Sequence, residues 1–139
     1  MTPGPYIQQN AYKGTRPCCS VCLRFEAADG SMHERELVAD TGSPCAVILG
    51  QADLNLLFRS PAAGINTNFG PLTGGWLQLH MPELALMQSI LGYGSDTVWQ
   101  VVQSDSPDFA GLVGLPLLRT VEYGGNDSSF WVRQLPGVP

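Results

Sequence analysis

The residues best suited to chemistry are Asp40-Thr41-Gly42-Ser43, which follow the apolar run Leu37-Val38-Ala39. A carboxylate delivered by an apolar strand must reach water or serve a purpose. Thr41 sets a hydroxyl beside it, and Gly42 allows a turn sharp enough to present a backbone N–H to the carboxylate. The same four residues also suit a strand closed by an Asx-type turn that does no chemistry. Of the four cysteines, Cys18, Cys19 and Cys22 crowd together and Cys45 stands apart. Cys19-x-x-Cys22 has the spacing of a redox pair or half a zinc site, but no second pair follows it, and His33 and His80 are isolated. The alternation through Cys18-Cys19-Ser20-Val21-Cys22-Leu23 fits a strand with small buried thiols better, so neither metal nor cofactor is expected.

Short strands and tight turns must position these groups. The 139 residues include 16 glycines and 11 prolines, a composition that favours an all-β domain over a helical bundle. Residues 1–16 carry Pro3, Pro5, two glutamines and an asparagine without periodicity and read as a flexible arm, which leaves 17–139 as one domain. Residues 18–27 and 32–39 are expected to form a hairpin about Asp29-Gly30, which delivers the chain to Asp40. Residues 46–49 form a short buried strand and 53–58 a short helix. Residues 64–76, with Gly70-Pro71 and Gly74-Gly75, resemble the bend of a second hairpin that continues into 77–81. Residues 83–91 fit helix or strand, and 97–103 read as a strand. The segments 121–123 and 130–133 flank Gly124-Gly125-Asn126-Asp127 as a third hairpin.

Seven Lys and Arg stand against twelve Asp and Glu, giving a net charge of −5. That balance disfavours nucleic acid or an anionic membrane as partner, since phosphate contacts draw on Lys and Arg. No apolar run approaches the ~18 residues of a membrane-spanning helix, and residues 1–14 lack the apolar core of a secretory signal. A cytoplasmic protein is the expectation.

Three features in order carry a family resemblance: Asp40-Thr41-Gly42 after its apolar strand, then Gly70-Pro71-Leu72-Thr73-Gly74-Gly75-Trp76-Leu77, then Gly111-Leu112-Val113-Gly114-Leu115-Pro116-Leu117-Leu118. Over residues 18–133 the chain resembles the retropepsin-like aspartic proteases, the single-domain family of the retroviral enzymes and their Ddi-type relatives. The resemblance implies a closed-barrel-like β fold with one short helix. It implies an aspartic endopeptidase in which two aspartates share a proton and activate a water. This chain holds one such triplet, so the second aspartate is Asp40 of another copy, and the enzyme is a symmetric homodimer acting on a peptide or protein.

The resemblance gives Thr41 a bond across the dimer axis and Gly42 a close approach to substrate, with Ser43 completing the catalytic loop. Gly70, Gly74, Gly75 and Trp76 belong to a flap, Trp76 either covering substrate or packing in the core. Val47 and Leu112 match pocket-lining positions that equally suit core packing. Retroviral members pair an acidic residue with an arginine where this chain has Pro44 and Leu115, so an apolar contact takes the place of the ion pair. Two other functions compete: a non-catalytic dimerisation or peptide-binding module on the same fold, and a thiol or metal redox protein built on Cys18, Cys19 and Cys22.

Overall fold

The computed structural model describes residues 7–136, and among them ten strands and three short α-helices succeed one another. In chain order they are β1 (Ile7–Ala11), β2 (Ser20–Glu26), β3 (Met32–Asp40), β4 (Val47–Leu49), α1 (Gln51–Leu57), β5 (Ser60–Thr67), β6 (Gly70–Leu79), β7 (Ser89–Gly94), α2 (Asp96–Asp105), β8 (Phe109–Gly114), α3 (Leu115–Leu118), β9 (Glu122–Gly125) and β10 (Ser129–Arg133).

Alternation builds the hairpin that leads to Asp40. Val21, Leu23 and Phe25 of β2 point inward while the residues between them are half-exposed. Asp29 tightens the turn by accepting both the N–H and the hydroxyl of Ser31, and Gly30 takes the positive φ of 86° that the bend requires. Strand β3 then pairs antiparallel with β2 and parallel with β8, in the order β2-β3-β8-β4-β7-β6. Strand β6 returns to β2 at Phe25↔Leu79 and Glu26↔Gln78, closing a six-stranded barrel, while β5 lies outside it as an edge paired with β6. The barrel is filled by Leu23, Phe25, Leu37, Leu49 and Val113, none more than 1% exposed. Each such burial contributes about 1.5–3 kcal/mol. A second apolar cluster of Cys45, Ile48, Leu72, Tyr93 and Val98 lies apart from this core.

Several expectations are corrected. Residues 97–103 form not a strand but part of α2. Ser95 caps that helix, its Oγ accepting the Val98 N–H at 3.1 Å, and Asp96 occupies the first turn. Val98 and Val102, four residues apart, are buried on one face, and this packing overrides the strand preference of β-branched side chains. With α1 and α3 this makes three α-helices instead of one. Residues 83–91 divide between a 3-10 turn (Pro82–Leu84) closed by left-handed Ala85 and the start of β7.

The expected N-terminal arm is in part a strand. Residues 1–6 lie outside the described region, but β1 pairs along the whole of β10, from Ile7↔Arg133 to Ala11↔Ser129. Its polar side chains have work to do. Strand β6 covers β2 only at Phe25 and Glu26, which leaves the backbone nearer the start of β2 without a strand neighbour on that side. There the Gln8 amide donates to the Cys22 carbonyl at 2.8 Å and accepts the Cys22 N–H at 2.5 Å, while Asn10 donates to the Ser20 carbonyl. The terminal hairpin β9–β10 forms as expected, with the Asn126 side chain accepting two backbone N–H groups at its turn. No helix among the described residues is long and apolar enough to cross a membrane.

Candidate active site

Asp40 is the last residue of β3, beside Gly114 of β8. Its Oδ1 accepts the Gly42 N–H at 2.9 Å, and its carbonyl accepts the Ser43 N–H at 3.1 Å. Ser43 is buried, and its hydroxyl both donates to the Cys45 carbonyl and accepts the Cys45 N–H, which fixes the following turn. Two further bonds tie this loop to the β8–α3 junction: Leu115 N–H to the Ser43 carbonyl and Gly114 N–H to the Ala46 carbonyl. The glycines of β8 make the approach possible. A Cβ on Gly111 would stand 1.9 Å from the Ile48 carbonyl oxygen, and one on Gly114 would stand 2.0 Å from that of Cys45. Asp40, Thr41 and Gly42 thus occupy a turn braced by an adjacent strand and do not simply terminate β3.

Asp40 lines a cleft of about 230 Å³ together with Gly42, Ser43, Pro44 and Cys45 of its own loop. Ile48, Leu72 and Leu112 supply an apolar wall, and Thr67, Asn68 and Phe69 at the tip of the β5–β6 hairpin complete the lining. The tip is tightly made. Thr67 Oγ1 accepts the Phe69 N–H and donates to the Gly70 carbonyl, and Gly70 has a φ of 91°. Among the described residues lining the cleft, Asp40 contributes the only carboxyl group.

The structure brings Asp40, Gly42, Ser43 and Leu112 together at this cleft, with Gly70 at the base of the hairpin tip. Thr41 is exposed on the other side of the loop, in a hollow of about 310 Å³ lined also by Pro44, Leu115, Pro116 and Arg119. Its hydroxyl has no hydrogen-bond partner among the described residues. Val47 does not reach the cleft. It is fully buried in the barrel, and its neighbour Ile48 faces the cleft instead.

Gly74 and Gly75 lie within β6, not at a bend. A Cβ on Gly74 would come 2.3 Å from the Ala63 carbonyl oxygen, and one on Gly75 would come 2.8 Å from the Phe58 Cβ. Their missing side chains admit close packing against neighbouring segments. Trp76 does not pack in the core: it is 42% exposed and lines a hollow separate from the Asp40 cleft. Leu72 lies in the expected flap segment but was not assigned to the cleft, and Ile48, Thr67 and Phe69 were not singled out as lining residues. Even spacing from Trp76 along the same strand face was the available signal for Leu72.

The cysteines are free. Cys22 sits in β2, where burial, reinforced by the negative charges of Glu36 and Glu34, pushes its thiol up to about 11. Burial also raises Cys18, whose neighbour Asp105 adds to the effect, and burial raises Cys45. Such thiols hold their protons at neutral pH, as packed side chains do, whereas reactive cysteines need thiolate character. No cluster of three or more His, Cys, Asp or Glu suited to a metal occurs among the described residues. No family model matches this chain, and neither does any curated protein or solved structure.

Proposed function

We propose that the protein is an aspartic endopeptidase, active as a homodimer in which two copies of Asp40 face one another. The observation that carries this reading is a carboxylate held by the Gly42 N–H in the wall of a cleft completed by a hairpin tip. Oδ1 is occupied by that N–H, which leaves Oδ2 for a water. In the paired site one carboxylate takes a proton from the water as its oxygen attacks the scissile carbonyl carbon, and the other carboxyl group protonates the carbonyl oxygen. Collapse of the tetrahedral intermediate then breaks the C–N bond, the departing nitrogen receiving a proton from the dyad. One carboxyl group per cleft makes a second chain necessary. The unpartnered Thr41 hydroxyl, in an open hollow on the far side of the loop, suits a contact with that chain.

The test is cleavage of an unbiased peptide library by the wild type and by Asp40→Asn. The variant is expected to keep its circular dichroism spectrum and its assembly state while losing activity by at least 10³-fold, on the order of the loss seen when a group essential to catalysis is removed. Substantial cleavage by a folded Asp40→Asn protein would refute the assignment.

A further inference from the structure

The β5–β6 hairpin leaves the rest of the sheet at a definite residue. Strand β6 pairs with β7 from Gln78↔Ser89 up to Thr73↔Gly94, and from there towards the tip it has only β5 beside it. Two strands alone hold each other weakly in water, so the last fixed residue governs where the tip stands. The tip residues Thr67, Asn68 and Phe69 line the Asp40 cleft, together with Leu72.

Thr73 is that last residue, and it is gripped from outside the sheet. Leu72 is buried and faces the cleft. Its neighbour Thr73 is exposed on the opposite side of the strand, where its hydroxyl donates to Gln51 Oε1 at 2.7 Å. Gln51 is itself held in place. Its Nε2 donates to Asn55 Oδ1 at 2.8 Å one turn along α1, and its backbone N–H donates at 3.0 Å to Oδ1 of Asp96, in the first turn of α2. Gly94, opposite Thr73 on β7, leaves the space this requires, since a Cβ there would stand 2.7 Å from Gln51 Oε1. Gln51 thus joins both helices to the root of the hairpin arm.

We propose that Gln51 is a positioning residue, acting through Thr73 to set where the hairpin tip stands over the Asp40 cleft and so how firmly a substrate is held. Gln51 does not line the cleft, and its influence passes through β6 alone. As a statement about substrate, this inference rests on the aspartic-endopeptidase reading.

The experiment measures amide hydrogen exchange over residues 65–72 and the kinetics of peptide cleavage. The proteins are wild type, Gln51→Leu, Thr73→Val, the double variant, and Gln51→Glu, which keeps an oxygen for the Thr73 hydroxyl. Exchange over 65–72 is expected to rise roughly three- to tenfold in each single disruptive variant, the scale of one lost hydrogen bond, with no further rise in the double variant. Exchange in β3 and β8 should stay as in wild type. With a peptide from the cleavage library, KM should rise by a similar factor while kcat changes by less than about twofold. Gln51→Glu should restore most of both readouts. Unchanged exchange over 65–72, a rise spread over the whole chain, or looser exchange with an unchanged KM overturns the positioning role and leaves the endopeptidase reading standing. If the wild type cleaves no peptide, the endopeptidase reading falls and the substrate role of Gln51 falls with it; the exchange data then decide whether Gln51 holds the arm.

Discussion

Asp40 is aimed by its neighbours. The Gly42 N–H holds one carboxylate oxygen, and Gly114 lets the Cys45 carbonyl pass where any side chain would collide. Gly114→Ala should therefore displace the Asp40 loop and destabilise the fold by about 1–3 kcal/mol, the range for overpacking, read as a lower denaturation midpoint. Cys22 gives a prediction at alkaline pH. Its folded thiol is raised from 9.0 to about 11, so between those values the unfolded chain releases a proton that the folded chain keeps. The stabilisation is complete below pH 9.0 and lost as pH rises towards 11. Denaturant midpoints at pH 8 and pH 10.5 should fall further for the wild type than for Cys22→Val. An equal fall in both proteins would contradict the assignment. The Asp40 triplet was legible because a carboxylate after an apolar strand is conspicuous. Ile48 was not, since Val47, Ile48 and Leu49 are all buried and show no alternation from which to read a face.

Elements differ in how far local sequence determines them. The β2–β3 hairpin combines alternation with an Asp-Gly turn, and both signals agree with the final structure. Helix α2 sets β-branched residues against a Ser95 cap and a face spaced four apart, and its packing decides the outcome. Ser95→Ala should cost about 1 kcal/mol in thermal or denaturant unfolding, a loss that a strand at this position would not show. Strand β1 was illegible for another reason: Gln8 and Asn10 satisfy the backbone of β2 rather than alternate with apolar residues. In β6, Gly74 and Gly75 sit against backbone and side chain of neighbouring segments. Gly74→Val is expected to lower the unfolding temperature by several degrees, about what 1–3 kcal/mol of overpacking produces in a domain of this size. Unchanged stability with slowed turnover would instead mark these glycines as hinges.

At the scale of the whole molecule, the proposed dyad ties activity to assembly, since the described lining of one chain's cleft holds one carboxyl group. Specific activity should fall on dilution through the dimer dissociation constant, and excess Asp40→Asn chains should poison wild-type chains by forming mixed dimers. Full activity in a protein that sediments as a monomer at every concentration would contradict this. The barrel itself closes over a short join, where β6 pairs with β2 at two residues, the His80 N–H adds a bond to the Arg24 carbonyl, and side-chain amides of β1 complete it. Those amides act as a dust cover on a sticky strip of backbone. Remove residues 1–11, and the start of β2 would offer unpaired N–H and C=O groups to any passing strand, in the manner of an exposed sheet edge that seeds aggregation. The truncated chain should scatter light at concentrations where the intact one stays clear, so the segment with the least regular sequence would be what keeps copies of this barrel from zipping together.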